Sequence, residues 1–258
     1  MNCQDQIYSE EYIDFIGNRS LIESKYTLDC KQPLGARFAS LYLKLSDGYE
    51  DGTVYGYYNI PKLFGLQDTG SMESSGILQV RENPYLKLDG SGVLIGFVDT
   101  GIDYAGSIFL KQDGTTRVTA IWDQTIPAGS PIRLPAQPEL PETPENITRT
   151  PEGFLYGSEF THEQLNAAVK MADAYEGISS RDENGHGTFL ASIAAGNELP
   201  DGSFTGAAPK ADIAMVKLKP AKNRLRAYYQ IKEDAVAYQE NDIMAGVLYL
   251  VSLAKKRQ

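Results

Sequence analysis

The sequence predicts an α/β protein, a parallel sheet flanked by helices, preceded by a small α+β unit. Three observations carry this reading. Residues 93–98 are a continuous apolar run, not an alternating one, and 211–218 reads as another buried strand, as expected of strands buried on both faces of a parallel sheet. Segments of helical composition lie between and after them, giving a strand–helix–strand–helix order. Before Gly90 the pattern differs, with short runs broken by turn signals.

The elements follow in order. Residues 10–21 place Tyr12, Ile13, Ile16 and Leu21 at a helical spacing. Residues 38–45 alternate as a strand does, Ser46-Asp47-Gly48 and Asp51-Gly52 mark turns, and 54–60 reads as a second strand. Met72 to Gly76 is polar and small and serves as a linker. The expected division is therefore an α+β domain at 1–75 and an α/β domain at 76–258. Within the latter, 93–98 and 117–122 read as strands. Residues 127–153 hold seven prolines from Pro127 to Pro151 and form a surface insertion. Helical composition returns at 161–174 and, with small apolar residues, at 187–195. Strand 211–218 follows. Residues 240–256 carry Ile243, Met244, Val247, Leu248 and Val251 on a helical period.

Composition excludes several classes. An apolar share of 42% is ordinary globular usage and not that of a disordered chain. Lys plus Arg is 24 against 34 Asp plus Glu, so the net charge is −10 and no nucleic-acid partner is expected. Cys3 and Cys30 are too few for a disulfide framework and are expected to be reduced or buried. The N-terminus has neither the basic nor the apolar part of a signal peptide. No apolar stretch approaches the ~20 residues of a bilayer span, so no membrane partner is expected and the expected location is intracellular.

Two histidines are present. His162 opens a polar helix start and is read as structural. His186 lies in Arg181-Asp182-Glu183-Asn184-Gly185-His186-Gly187-Thr188, at the head of a small-residue helix. Its flanking glycines let backbone approach the ring, and the positive end of a helix disfavours the imidazolium. Asp99 ends the 93–98 strand, and Thr100-Gly101 turn the chain after it. The carboxyl ends of strands are where sites form in open α/β sheets. A carboxylate there accepts a histidine ring N–H and fixes its tautomer.

Together these segments resemble the subtilisin-like serine proteases. The resemblance rests on Val98-Asp99-Thr100-Gly101-Ile102-Asp103, on Asn184-Gly185-His186-Gly187-Thr188, and on Gly206-Ala207-Ala208-Pro209 before strand 211–218. It implies a subtilisin-like fold and peptide-bond hydrolysis, with Asp99 as triad aspartate and His186 as general base. It further implies a protein substrate, and a propeptide in cis that residues 1–75 would supply. Ile121-Trp122-Asp123-Gln124-Thr125, Phe154-Leu155-Tyr156-Gly157 and Val216-Lys217-Leu218-Lys219-Pro220 are similar to the germination-type branch of spore-forming Firmicutes, which implies a spore compartment. The family's oxyanion-hole Asn and its Gly-Thr-Ser-Met-Ala-like nucleophile segment have no counterpart. The resemblance therefore covers the N-terminal part of such an enzyme, whose C-terminal half would be the missing partner. Ser192 falls mid-helix and is not read as the nucleophile. After His-Gly-Thr the run is Phe189-Leu190-Ala191-Ser192, without the second histidine of many secreted subtilases. No acidic loop has EF-hand spacing, so neither metal nor cofactor is expected.

Two rivals stand beside this reading. Phe97-Val98-Asp99-Thr100-Gly101 also fits an aspartic protease, but that chemistry needs a second such segment and an all-β fold. A pseudoprotease acting as a sensor or binding module would fit the missing serine.

Overall fold

The computed structural model describes residues 2–25, 30–44, 57–64, 88–135, 147–201 and 204–257. The expected linker at Met72 to Gly76, the turns at 46–52, the start of the 54–60 strand and residues 136–146 of the Pro-rich segment lie outside them. The chain divides into two units. Met1–Leu66, Thr150–Gly157 and Leu218–Gln258 form the first; Gln67–Arg149 and Ser158–Lys217 form the second.

The first unit opens with helix α1 (Cys3–Tyr8), closed by a reciprocal cap between Asn2 and Asp5. Strands β1 (Tyr12–Asn18), β2 (Lys31–Leu34) and β3 (Phe38–Lys44) form an antiparallel sheet in the order β1-β3-β2. The helix expected over 10–21 is instead β1, followed by helix α2 (Arg19–Lys25). Ile13, Asp14, Phe15 and Ile16 are all buried, so β1 is covered on both faces and shows no alternation. Its apolar residues match a helical period by coincidence. β1 is fixed by its pairing with β3, in the register Ile13↔Leu43 and Phe15↔Leu41. Those four residues join Ile22, Ala39, Ile60 and Leu225 in one apolar core. Tyr57–Asn59 is a 3-10 turn and not a strand; β4 (Leu63–Phe64) follows it. Cys3 and Cys30 are joined in a disulfide, which corrects the expectation of reduced thiols. The pairing spans 27 positions and depends on how the chain folds back, which spacing does not reveal.

The second unit is built on β5 (Leu94–Asp99), β6 (Val118–Asp123), β7 (Ser158–Thr161) and β8 (Asp212–Lys217), ordered β5-β8-β6-β7. β5, β8 and β6 run parallel; β7 is antiparallel to β6 and had no signal in the sequence reading. β8 is buried almost throughout. Among the described residues β5 is paired on one side only. Helix α3 (His162–Val169) starts at a capping box between Thr161 and Gln164, and a short helix α4 (Ala174–Gly177) follows. Helix α5 (His186–Ala195) buries Ala191 and Ala195 in the core beside Ile213, Met215 and Ile121. Small side chains on that face let the helix lie close to the sheet.

The chain then returns to the first unit through helix α6 (Asn223–Tyr228), β9 (Tyr238–Gln239), which pairs with β4, and helix α7 (Glu240–Lys256). α7 buries Ala245 and Tyr249 and leaves Val247 and Val251 exposed. Among the described residues no helix is long and apolar enough to cross a membrane, and no group of three or more His, Cys, Asp or Glu side chains is arranged to hold a metal ion.

Candidate active site

The register of the parallel strands sets the site. Asp99 pairs with Lys217, and Lys217 pairs in turn with Asp123, so the carboxyl ends of β5, β8 and β6 carry three charged residues in a row. His186, the first residue of α5, is brought to the first of them. Its Nδ1 lies 2.8 Å from Asp99 Oδ1. The same carboxylate oxygen accepts from the backbone N–H of Thr100 at 2.7 Å, which fixes its direction. Both side chains are largely shielded, with 11% of the Asp99 side chain and 16% of the His186 ring exposed. A carboxylate only accepts, so Nδ1 carries the ring proton, and the lone pair of the neutral ring resides on Nε2.

The two glycines beside His186 act differently. A Cβ on Gly187 would come within 2.2 Å of the Gly101 carbonyl oxygen and 3.2 Å of Asp99 Cβ, so only glycine lets α5 begin against the Asp99 turn. Gly185 has open space around it but sits at φ +87°, a left-handed conformation that other residues rarely adopt.

Asp182, which the sequence reading passed over, ties the two halves of the site together. Its Oδ1 accepts from Thr100 Oγ1 at 2.7 Å and from Gly185 N–H at 2.9 Å. Its Oδ2 accepts from the backbone and the hydroxyl of Thr188 at 2.8 and 2.7 Å. Thr100 Oγ1 accepts in turn from Gly187 N–H at 2.8 Å. Burial pushes the Asp182 carboxyl up, but the hydrogen bonds from Thr188, Thr100 and Gly185 together outweigh it and hold the group below the usual aspartate range. One signal was available: an Asp four residues before the histidine, preceding a helix start.

The remaining candidates fall elsewhere. His162 places Nε2 3.0 Å from the Thr116 carbonyl, a structural contact of the helix start. Ser192 donates its hydroxyl to the Thr188 carbonyl at 2.8 Å, within α5. The parallel sheet with covering helices also departs from the all-β fold that an aspartic protease requires.

A parallel α/β sheet that seats an aspartate–histidine pair at a strand end is a framework on which triad hydrolases are built. Residues 90–245, more than half of the chain, match the Subtilase family, Peptidase S8, and the chain belongs to that family. Subtilisin-like protease SBT3.8 of Arabidopsis thaliana is 30% identical over 144 residues, covering 50% of this chain and 16% of that protein. Subtilisin-like protease SBT3.5 of the same plant is 28% identical over 168 residues, covering 61% and 19%. The chain thus spans less than a fifth of the length of these relatives. The solved structure of the Clostridium perfringens CspB protease is 25% identical, with a TM-score of 0.49, over 71% of this chain and 30% of that one.

Proposed function

We propose that this chain carries the aspartate and the general base of a subtilisin-like serine endopeptidase acting on protein substrates. Membership of the subtilase family supports the reaction class. The single observation that supports the residue roles is the 2.8 Å contact between Asp99 and His186 at the carboxyl end of β5. In this reading His186 Nε2 takes the proton from a serine hydroxyl as its oxygen attacks the scissile carbonyl. The proton then passes to the leaving amine, an acyl-enzyme remains, and water releases it by the same route. Asp99 holds the ring tautomer and stabilises the imidazolium that forms.

The serine and the oxyanion-hole donor belong, in this reading, to a C-terminal half that completes the peptidase domain. Residues 1–75 act as a propeptide-like domain in cis, and 76–258 form the N-terminal part of the peptidase domain, with 127–153 as its insertion. The motifs around Trp122, Tyr156 and Lys217 support membership of the germination-type branch, in a spore-forming bacterium and inside the cell. The chain by itself is inactive, because removing any triad member costs several orders of magnitude in rate. The test is exposure of the chain to a fluorophosphonate serine probe. No labelling is expected. Stoichiometric labelling, traced to a serine by mass spectrometry, would show a nucleophile within these 258 residues and overturn the division.

A further inference from the structure

The segment that delivers His186 is held at three consecutive residues by three adjacent strand ends. Ser180 donates its hydroxyl to Asp123 Oδ2 at 2.7 Å, at the end of β6. The Arg181 carbonyl accepts from Lys217 Nζ at 2.6 Å, at the end of β8. Asp182 accepts from Thr100, the residue after β5, at 2.7 Å. Lys217 is the central point of this clamp. Its ammonium also meets Glu183 Oε2 at 2.7 Å and lies 3.8 Å from Asp123 Oδ2. Only 9% of its side chain is exposed, whereas Glu183 is 71% exposed. A lysine buried this far needs its partners, and it finds two of them on the loop, the Arg181 carbonyl and the Glu183 carboxylate. Its other neighbour in the sheet is Asp99 itself, by register.

We infer that Lys217 is a positioning residue for the general base: it fixes the 181–185 loop so that His186 meets Asp99, without taking part in proton transfer. The inference rests on the reading of Asp99 and His186 as the acid–base pair. Loss of the ammonium frees the Arg181 carbonyl and Glu183 together. The Asp182 end of the clamp then has to hold the loop alone, and the ring loses its fixed approach to the carboxylate. Asp123 is completely buried; as asparagine it keeps an oxygen to accept from the Thr125 hydroxyl, and its Nδ2 donates to the Ser180 hydroxyl, which turns to accept. A paired neutral replacement therefore leaves no unbalanced charge in the sheet.

The test uses the whole chain, with nitrogen-15 and proton NMR of the wild type, Lys217→Met/Asp123→Asn and Asp99→Asn. The readouts are the His186 Nδ1 proton and the exchange rates of the Gly185, Gly187 and Thr188 amides, with the ring of His162 and the amides of β6 and β8 as internal controls. In the double variant we expect exchange at the three loop amides to rise on the order of tenfold or more. The His186 Nδ1 proton is expected to broaden or vanish, and the controls to keep their positions. A double variant with unchanged loop exchange and an unchanged Nδ1 proton would overturn the inference. So would one that fails to fold while Asp99→Asn folds, since Lys217 would then serve the sheet and not the loop. If Asp99→Asn itself leaves the His186 ring signals unchanged, the acid–base pair is the reading that fails.

Discussion

Each unit of the molecule contains a buried cluster of charge, and the two are built to opposite designs. In the first unit Asp14 pairs with Lys222 and accepts from Gln239 and Asn241 at 2.9 and 3.0 Å. Lys219 lies 2.7 Å from Asp242, which also accepts from Tyr156 at 2.8 Å. All four charged side chains are 5% exposed or less, and two positive charges face two negative ones. Gln239 Oε1 accepts from the Lys222 backbone, and Lys222 donates to the Tyr12 carbonyl. The cluster is closed on itself.

The second unit grades from buried to open. Asp123 is fully buried, Lys217 nearly so, His186 partly open and Glu183 mostly in water. Its hydrogen bonds run outward along one loop to a titratable ring. A closed, neutral cluster specifies which segments come together; a graded one holds a reactive group at the edge of solvent. The same residue types serve both ends, and what separates them is where the network stops.

This contrast can be broken from either side. The largest effect is expected in the closed cluster. Lys222→Met leaves the Asp14 charge buried and unbalanced, which should lower unfolding free energy by about 3–5 kcal/mol in a denaturant titration. The double variant Lys222→Met/Asp14→Leu should recover much of that loss. Equal stabilities for wild type and Lys222→Met would mean the cluster is not closed. A smaller effect is expected from Gly187→Ala, whose Cβ meets the Gly101 carbonyl. It should cost about 1–3 kcal/mol and shift the His186 ring signals, since α5 must back away from the Asp99 turn.

The smallest effect sharpens the graded side. Asp182 is half-buried and its carboxyl lies below the usual aspartate range. A carboxyl depressed on folding contributes stabilisation that is complete above its unfolded value and is lost as pH falls through its folded value. Loop amides at Gly185 and Thr188 should therefore exchange faster on going from about pH 7 to about pH 3, even after correction for intrinsic rates. In Asp182→Asn that dependence should flatten, with a stability loss of about 1 kcal/mol at neutral pH, kept small because the side chain is partly exposed to water. An unchanged acid profile in the variant would assign the effect to another carboxyl.

The sequence made the ends of the site visible and hid its supports. Asp99 and His186 stand in segments whose neighbours are apolar or glycine, so each carries its own context. Asp182 reaches back 82 positions to Thr100 and Lys217 reaches Asp123 on another strand, and such distant partners have no local signature. Lys217 did leave a trace, as a charge directly after the apolar residues 213–216, but a strand end tolerates lysine for several reasons. In the first unit Asp14 was invisible for a related reason. β1 is buried on both faces, so neither alternation nor polarity marked the strand, and its few apolar positions imitated a helix. The Cys3–Cys30 bond likewise follows from chain return and not from spacing.

In the proposed reading, Asp99 holds His186 as a base by accepting a hydrogen bond from its Nδ1–H, which leaves Nε2 as the basic nitrogen. The most direct measurement is the nitrogen-15 spectrum of the His186 ring at neutral pH, in the wild type and in Asp99→Asn, with His162→Gln used to assign the two histidines. The wild type is expected to show a low-field Nδ1–H signal, and its neutral ring to carry the proton on Nδ1. Asp99→Asn is expected to lose that signal and to mix tautomers. A neutral wild-type ring that carries its proton on Nε2, or a ring that Asp99→Asn leaves unchanged, would contradict the pairing of Asp99 with His186.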